Sequence, residues 1–307
     1  MNHAHVGSSL AALAVLLVIA PALSGVVVRT KSAFAGRRGA PVGQLYRDLF
    51  KLVRKGTVYS TTTTWIFRAA PVVVLASLTA ASLLLPLDGQ ASPVQFSGDL
   101  IAFAGLLALG RFALVLAGLD TGSSFEGMGA SREVTVASFA EPVLFLGFLG
   151  LVLATRRLTL SAMLGPALAA AWPHQTASLA LVALAFFVLL LAENSRVPVD
   201  DPATHLELTM IHEVIVLDHS GPDLAVILYA SSLKLALFAA LIVEVAVPRD
   251  GLGLGWSLAA FAGGLLVVAL AVGVVESVMA RLRLNRVPQL IVGAGALALF
   301  GIILLLR

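Results

Sequence analysis

Cysteine is absent from this 307-residue chain, and charged residues make up only 12% of it. Without thiolates the chain forms no disulfide, ligates no iron–sulfur cluster through cysteine and builds no thiolate zinc site. Nucleotide-binding loops, nucleophile elbows and metalloprotease zinc motifs are also missing from the sequence. These absences exclude the common soluble catalytic sites, and we expect this chain itself to hold no metal or cofactor.

Apolar sequence is what the chain has in excess. Hydrophobic residues make up 59% of it, against about 45–50% in soluble domains. Runs long enough to cross about 30 Å of hydrocarbon recur from end to end. The sequence therefore predicts an all-α integral membrane protein with one membrane domain over residues 1–307. Eight spans are expected, at residues 8–28, 65–87, 97–118, 134–154, 176–194, 224–247, 252–275 and 287–306.

The distribution of basic residues predicts the orientation of these spans. The loop after the first span contains eight Lys or Arg residues and one acid, Asp48, and such a bias is typical of a cytoplasmic loop. Alternation then places the loops 119–133, 195–223 and 276–286 in the cytoplasm, although Arg156 and Arg157 run against the rule. We expect a multi-pass protein of a bacterial or archaeal cell membrane. The formal charge of +3 reflects this orientation and not nucleic-acid binding. No basic leader precedes the first span, so we expect it to be retained.

Residues 44–55 predict a short amphipathic helix within the first loop. Leu45, Leu49, Leu52 and Val53 recur at helical spacing on one face, and bases occupy the remainder. A helix lying on anionic lipid headgroups fits this pattern. A docking surface for a soluble partner fits it equally, and the two interpretations are compatible.

The stretch from Glu193 to Asp223 contains seven of the seventeen carboxylates of the chain. Asp201 followed by Pro202 is typical of a helix start and predicts a helix to about Leu217. On that helix Glu207 falls within the apolar arc, where desolvation would raise its pKa as a proton carrier requires. An ion pair between Glu207 and Arg196 is the alternative.

Two histidines of this stretch, His205 and His212, share one face of the predicted helix. Seven residues of helix separate their Cα atoms by about 10 Å, which is too far for one metal ion without further ligands. We therefore expect them to lie at the surface or against a partner.

Several ionisable residues fall within the spans or at their edges. Glu141, Glu193 and Glu276 lie near the expected cytoplasmic ends, while Lys234 and Glu244 lie within the sixth span. Ionisable residues inside a membrane are functional candidates by default, although each of them alone could extend toward the interface. Together they predict a string of titratable groups leading from the cytoplasmic face into the bilayer.

Five motifs follow one another from Gly36 to Pro288, and together they resemble a known family. They are Gly36-Arg-Arg-Gly-Ala-Pro41, the segments 46–52 and 125–133, Pro198-Val-Asp-Asp-Pro-Ala-Thr-His-Leu-Glu-Leu-Thr-Met-Ile-His-Glu213, and the segment 281–288. The chain resembles the family of formate hydrogenlyase subunit 4 and hydrogenase-4 component C. These proteins are relatives of respiratory complex I subunit 1, which belongs to NADH-quinone oxidoreductase.

The resemblance implies a non-catalytic membrane subunit of an oxidoreductase complex, which anchors a soluble arm and carries part of a proton path. The implied partners are nickel–iron hydrogenase-like large and small subunits, iron–sulfur subunits and antiporter-like membrane subunits. The nickel–iron site and the iron–sulfur clusters would lie in those partners. A quinone-chamber subunit of a complex-I-like dehydrogenase is the alternative, and a separate transporter or a passive anchor is less well supported. Where complex I relatives have Pro-Phe-Asp, this chain has Pro198-Val199-Asp200, which favours the hydrogenase branch.

These considerations give two sets of candidate residues. The expected proton-path or coupling set is Glu141, Glu193, Asp200, Glu207, Glu213, Glu276 and Lys234. The residues expected to dock partners or support the loops are Arg37, Arg38, Asp48, Lys51, Arg132, Glu133, Arg196, His205, His212 and Arg286.

Overall fold

The structure, a computed structural model, describes residues 3–87, 89, 91–200, 210–249 and 252–306, and the regular elements within these ranges are helices. In chain order they are α1 His3–Phe34, α2 Gln44–Val53, α3 Trp65–Leu83, α4 Asp99–Asp120, α5 Ser124–Thr155, α6 Leu160–Leu164, α7 Pro166–Glu193, α8 His212–Ile215, α9 Gly221–Ala246, α10 Leu254–Val278 and α11 Val287–Leu305, with a 3-10 turn at Leu284–Arg286 before α11.

Eight of the described helices are long and apolar enough to cross a membrane, and they are α1, α3, α4, α5, α7, α9, α10 and α11. The predicted all-α membrane fold with eight spans is thus confirmed. Local sequence sets several of the helix ends. Thr64 caps α3 by accepting the Ile66 N–H, and proline stands in the first turn of α7, α9 and α11.

Helix α9 is the most buried of the eight. It packs against α1, α3, α7 and α10, while α5 packs against α4, α7 and α11. Phe148 makes edge-to-face contacts with Phe103 and Phe186, at centroid distances of 6.0 and 5.8 Å. The bundle core therefore lies around α9.

The connections between the spans gather at two ends of the bundle. The loop end consists of residues 35–64, 121–123, 194–200, 210–220 and 279–286, and the opposite end consists of the described residues of 84–98, 156–165 and 247–253. At the loop end Asp120 accepts the Thr64 N–H at 2.7 Å, and Leu282 N–H donates to Pro198 O at 2.9 Å. The longer connections thus meet one another on one face of the molecule.

Two span boundaries from the sequence are wrong by about ten residues. Helix α5 begins at Ser124 and not at residue 134, and α7 begins at Pro166 and not at residue 176. The expected loop 119–133 is therefore reduced to a short turn before α5. Charges made residues 126–133 look like loop, but Glu126 and Glu133 are buried and Arg132 donates to Met210 O at 2.8 Å. Protein groups therefore surround these charges, and the helix continues past them.

The helix predicted from Asp201 to Leu217 is also wrong in its described part. Residues 201–209 lie outside the described residues, and Met210 and Ile211 are not helical. Their backbone groups bond to side chains and not to a helix: Ile211 N–H donates to Asp200 Oδ2 at 2.7 Å, and Met210 O accepts from Arg132. Only the short α8, which ends at Ile215, follows them.

Candidate functional site

Arg111, in the middle of α4, is the centre of a buried cluster of charges. Its Nη1 lies 2.6 Å from Glu141 Oε1, and its Nη2 lies 2.7 Å from Glu193 Oε1. Its Nε lies 3.9 Å from Glu133 Oε1. The side chains of Arg111 and Glu193 are only 8% and 5% exposed, so their hydrogen-bonded pair forms where solvent is largely excluded, whereas the Glu141 side chain is 43% exposed. One guanidinium thus joins α4 to α5 and to the end of α7.

Lys234, on α9, completes this cluster. Its Nζ lies 2.8 Å from Glu193 Oε2 and also donates to the backbone carbonyl of Glu193. Arg111, Glu133, Glu141, Glu193 and Lys234 are together called the central charge cluster. It contains three carboxylates and two cations, so it is negative by one charge when all five groups are ionised. A surplus carboxylate beside others is the arrangement in which a proton is readily shared.

A small cavity of about 40 Å³ lies beside the central charge cluster, and apolar residues of α3, α4 and α9 form much of its wall. Arg111, Glu133, Glu193 and Lys234 line it, together with His212. This volume is sufficient for a water molecule, and several polar partners converge on it. The cluster therefore has the geometry to hold a proton and to exchange it through a bound water.

A second network of ion pairs lies nearer the loop end. Glu276 Oε1 lies 3.4 Å from Arg196 Nη1, and Glu276 Oε2 lies 3.4 Å from Lys31 Nζ. Asp200 Oδ1 lies 2.8 Å from Arg281 Nη2. These pairs attach the segment 194–200 to α10 and to the connection that precedes α11, and Glu276 of α10 is in turn paired with Lys31 of α1.

A larger cavity, of about 180 Å³, lies between α1, α2, the segment 194–200, α8 and α9. Its polar lining includes Arg196, Asp200, His212 and Glu213, and Leu45 and Ile227 supply apolar surface. His212 lines both cavities. Burial, and then repulsion by Lys234, lowers the pKa of His212 to about 4, so its ring is neutral near neutral pH.

The structure brings together four residues of the predicted proton-path set and two of the predicted docking set. Glu141, Glu193 and Lys234 belong to the central charge cluster with Glu133, and Glu276 pairs with Arg196. Asp200 is held nearby, and Glu213 lines the larger cavity. Glu207 and His205 lie outside the described residues.

The basic residues expected to dock partners lie mainly on the surface of the loop end. Arg37, Arg38, Lys51 and Arg286 are exposed. Asp48 accepts from Gln44 Nε2 at 2.9 Å within α2. Arg132 and His212 are not part of that surface group, since Arg132 bonds to Met210 O and His212 faces the two cavities.

Arg111, Glu126 and Arg249 are missing from the sequence-derived sets. Arg111 stands in an otherwise apolar span, and the rule that marks intramembrane charges as functional applies to it as it does to Lys234. Arg249 forms a fully buried ion pair with Glu244 at the opposite end. Glu126 was assigned to a loop, so its complete burial was not anticipated.

In a chain without cysteine, the side chains that could ligate a metal ion are mainly those of His, Asp and Glu. Within the ranges that the structure describes, no group of three or more His, Asp or Glu side chains is arranged to hold a metal ion.

A bundle of eight apolar helices around an internal network of ion pairs defines a polytopic membrane protein with an enclosed titratable site. A family model described as NADH dehydrogenase matches residues 8–306, and the chain belongs to this family. The family resemblance expected from the motifs is confirmed by two relatives from Escherichia coli K12. Hydrogenase-4 component C is 35% identical over 241 residues, which cover 78% of this chain and 75% of the relative. Formate hydrogenlyase subunit 4 is 33% identical over 290 residues, which cover 90% and 91%.

Two further comparisons are more distant. A subunit of the NADH-quinone oxidoreductase of Rubrobacter xylanophilus is 26% identical over 176 residues, or 57% of this chain and 52% of that protein. The fold is similar to a chain in the structure of the membrane-bound sulfane sulfur reductase, an archaeal respiratory membrane complex, with a TM-score of 0.82. That chain is 18% identical, and the match covers 97% of this chain and 98% of that one. At this sequence identity, the similarity to the sulfane sulfur reductase chain concerns the fold alone.

Proposed function

We propose that this chain is the membrane subunit of a hydrogenase-like complex, in which it anchors a soluble arm and carries protons. The observation that carries the proposal is the central charge cluster, where Glu193 is shared by Arg111 and Lys234 inside a bundle of apolar helices. Burying charges is expensive in free energy and is a weak route to stability. A role in proton transfer would account for the presence of these buried charged side chains.

The proposed mechanism uses the surplus carboxylate of the central charge cluster. Electron transfer in a docked arm would change the charge at the loop end, where Arg196, Glu276 and Asp200 lie. A change in their protonation or pairing would alter the field at Glu193 and Lys234. A proton held by one of the three carboxylates of the cluster would then be released or taken up through the small cavity. No redox centre in this chain is needed, and the metal clusters would belong to the partners.

The proposed partners follow from the relatives and from the surface of the loop end. Hydrogenase-type large and small subunits and iron–sulfur subunits would dock on the loop end. We place this end in the cytoplasm, because its exposed bases include Arg37, Arg38 and Lys51. Antiporter-like membrane subunits would lie beside the spans. The similarity to hydrogenase-4 component C and formate hydrogenlyase subunit 4 supports this assignment.

The test uses the intact complex purified with this chain and reconstituted into vesicles. Glu193→Gln and Lys234→Met should lose coupled proton movement while the soluble arm still copurifies, and Lys234→Arg should retain part of it. Arg157→Gln, at an exposed position of the opposite end, is the matched control. Full coupling in both Glu193→Gln and Lys234→Met would exclude the proton role and leave a passive anchor.

A quinone-binding role is the second candidate, and the larger cavity favours it. Its volume of about 180 Å³ and its mixture of apolar and polar lining suit the headgroup of a lipid-soluble redox carrier. Quinone copurifying with the wild-type complex, and lost when Ile227→Trp fills the cavity, would support this role. A quinone-free complex that still turns over would argue against it.

A further inference from the structure

Glu126, in the first turn of α5, is completely buried, and no cation pairs with it among the described residues. Its Oε1 accepts the backbone N–H of Asp218 at 3.1 Å. Its Oε2 has no hydrogen-bond partner in the described part of the chain. This oxygen is therefore enclosed by protein, with the Thr121 side chain close to the carboxyl group.

Five other buried acids of the described bundle differ from Glu126 in this respect, whereas Asp99 at the start of α4 is likewise buried with one oxygen unpartnered. A Lys or Arg nitrogen lies within 4 Å of each of the following: Glu133, Glu193, Asp200, Glu244 and Glu276. An unpaired buried carboxylate is strongly destabilised, whereas a helix N-terminus stabilises an anion only weakly. The position of Glu126 at the start of α5 therefore offsets only a small part of the cost of burying its charge.

A structural role as a helix cap does not account for Glu126. Ser123 and Glu126 have the spacing of a capping box, in which the glutamate would accept the N–H of the cap residue. That N–H donates instead to Thr121 Oγ1 at 3.1 Å, and the Ser123 side chain makes no cap bond. The carboxyl group of Glu126 is thus turned away from its own helix and toward Asp218.

The position of Glu126 connects it with the central charge cluster. Glu126 and Glu133 are seven residues apart on α5, so they lie on one face and about 10 Å apart along the axis. Between them α8 packs closely on Gly129, through Val214 and Ile215. The same short helix carries His212, which lines the small cavity with Glu133. Glu126 therefore lies on the loop-end side of Glu133, on the same face of α5 and separated from it by the packing of α8.

We propose that Glu126 is a proton-holding carboxylic acid and the loop-end member of the proton path, an inference that rests on the proposed function. When Glu126 passes its proton toward the central charge cluster, it becomes a carboxylate that still accepts the Asp218 N–H. A proton from water at the loop end then restores the acid. The titratable and polar groups facing it are Thr121 at the end of α4, exposed Asp218, and His219, which is buried and stacked on Phe67 at 3.9 Å.

The test is an infrared comparison of the purified complex containing this chain, titrated with pH. The difference between the infrared spectra of wild type and Glu126→Gln should contain the carbonyl-stretching band of one protonated carboxylic acid. This band should be present at neutral pH and should shift in heavy water. Glu126→Asp keeps the acid, so it should shift this band without removing it. Asp218→Asn, which retains the backbone donor, should move the pH at which the band disappears.

The outcomes separate this inference from the proposed function. If Glu126→Gln assembles and the protonated-acid band is unchanged at neutral pH, Glu126 is ionised in the wild type. The inference then fails, whether or not this variant still shows coupled proton movement. If the band is lost but Glu193→Gln and Lys234→Met remain fully coupled, the proposed function fails while the protonated acid stands. Loss of both the band and coupled proton movement in Glu126→Gln supports both.

Discussion

Lys234 Nζ and Glu193 Oε2 lie 2.8 Å apart in the interior, where they join α9 to the end of α7. Glu193 is also held by Arg111, at 2.7 Å from its other oxygen. The carboxylate therefore stands between two cations that come from different helices. Removing either cation leaves the remaining charges buried, so the structure predicts effects on both stability and proton movement.

Replacing Arg111 with methionine should destabilise the folded chain by about 3–5 kcal/mol, because it leaves buried carboxylates without their shared partner. Unfolding of the detergent-purified protein by heat or by a denaturing detergent measures this change. Arg157→Met, at an exposed position, should stay within about 0.5 kcal/mol of wild type. An Arg111→Met protein as stable as that control would mean that water reaches the cluster freely.

The ion pair between Arg249 and Glu244 at the opposite end should behave as one unit. Arg249 also donates to Leu87 O at 3.2 Å and lies over the Phe261 ring, 5.1 Å from its centroid. Arg249→Met and Glu244→Gln should each destabilise the protein by about 3–5 kcal/mol, and the double variant should lose less than their sum. A double-mutant cycle of unfolding measurements checks this. Strict additivity would show that the two side chains act independently.

Acid should destabilise the protein in part through His212. Its pKa is lowered to about 4 by burial and by Lys234, while the unfolded value is about 6.5. The stabilising contribution is complete above pH 6.5 and is lost as the pH falls toward 4, because only the unfolded chain binds the proton in that window.

His212→Asn should reduce the slope of stability against pH between about 6.5 and 4. His174→Asn, which changes an exposed histidine of α7, is the control. Equal slopes for wild type and His212→Asn would show that His212 takes up its proton while folded.

A close backbone contact predicts a difference between two glycines. A Cβ on Gly25 of α1 would overlap the backbone oxygen of Val42, whereas a Cβ on Gly105 of α4 would meet no heavy atom within 4 Å. Gly25→Ala should therefore displace the segment before α2 and destabilise the protein by about 1–3 kcal/mol. Gly105→Ala should be neutral, or stabilising by up to about 1 kcal/mol. Thermal unfolding of the two variants checks the contrast, and equal stability would mean that α2 shifts at no cost in free energy.

The existence and type of the long helices followed directly from the sequence. Apolar runs such as 97–118 and 252–275 predicted α4 and α10 within three residues at each end. Helix starts at charged positions could not be predicted in this way. Residues 124–133 contain Glu126, Arg132 and Glu133, whose charges suggested water, but protein groups surround them.

The candidate site was predictable as a set of residues but not as an arrangement. The preference of ionisable groups for water made Glu141, Glu193, Lys234 and Glu276 conspicuous in apolar spans. The sequence could not show that Glu276 pairs with Arg196, or that Arg111 connects the acids of α5 and α7. These contacts join residues 30 to 82 positions apart in the chain.

The sequence alone determined that this chain is an eight-span membrane protein of a recognisable family, because hydrophobic length and ordered motifs are properties of local sequence. Only the tertiary structure decided which buried charges compensate one another and that Glu126 has no cation among the described residues. The physical reason is that the free energy of a buried charge depends on atoms within a few ångströms of it, and helix packing brings those atoms from distant parts of the chain.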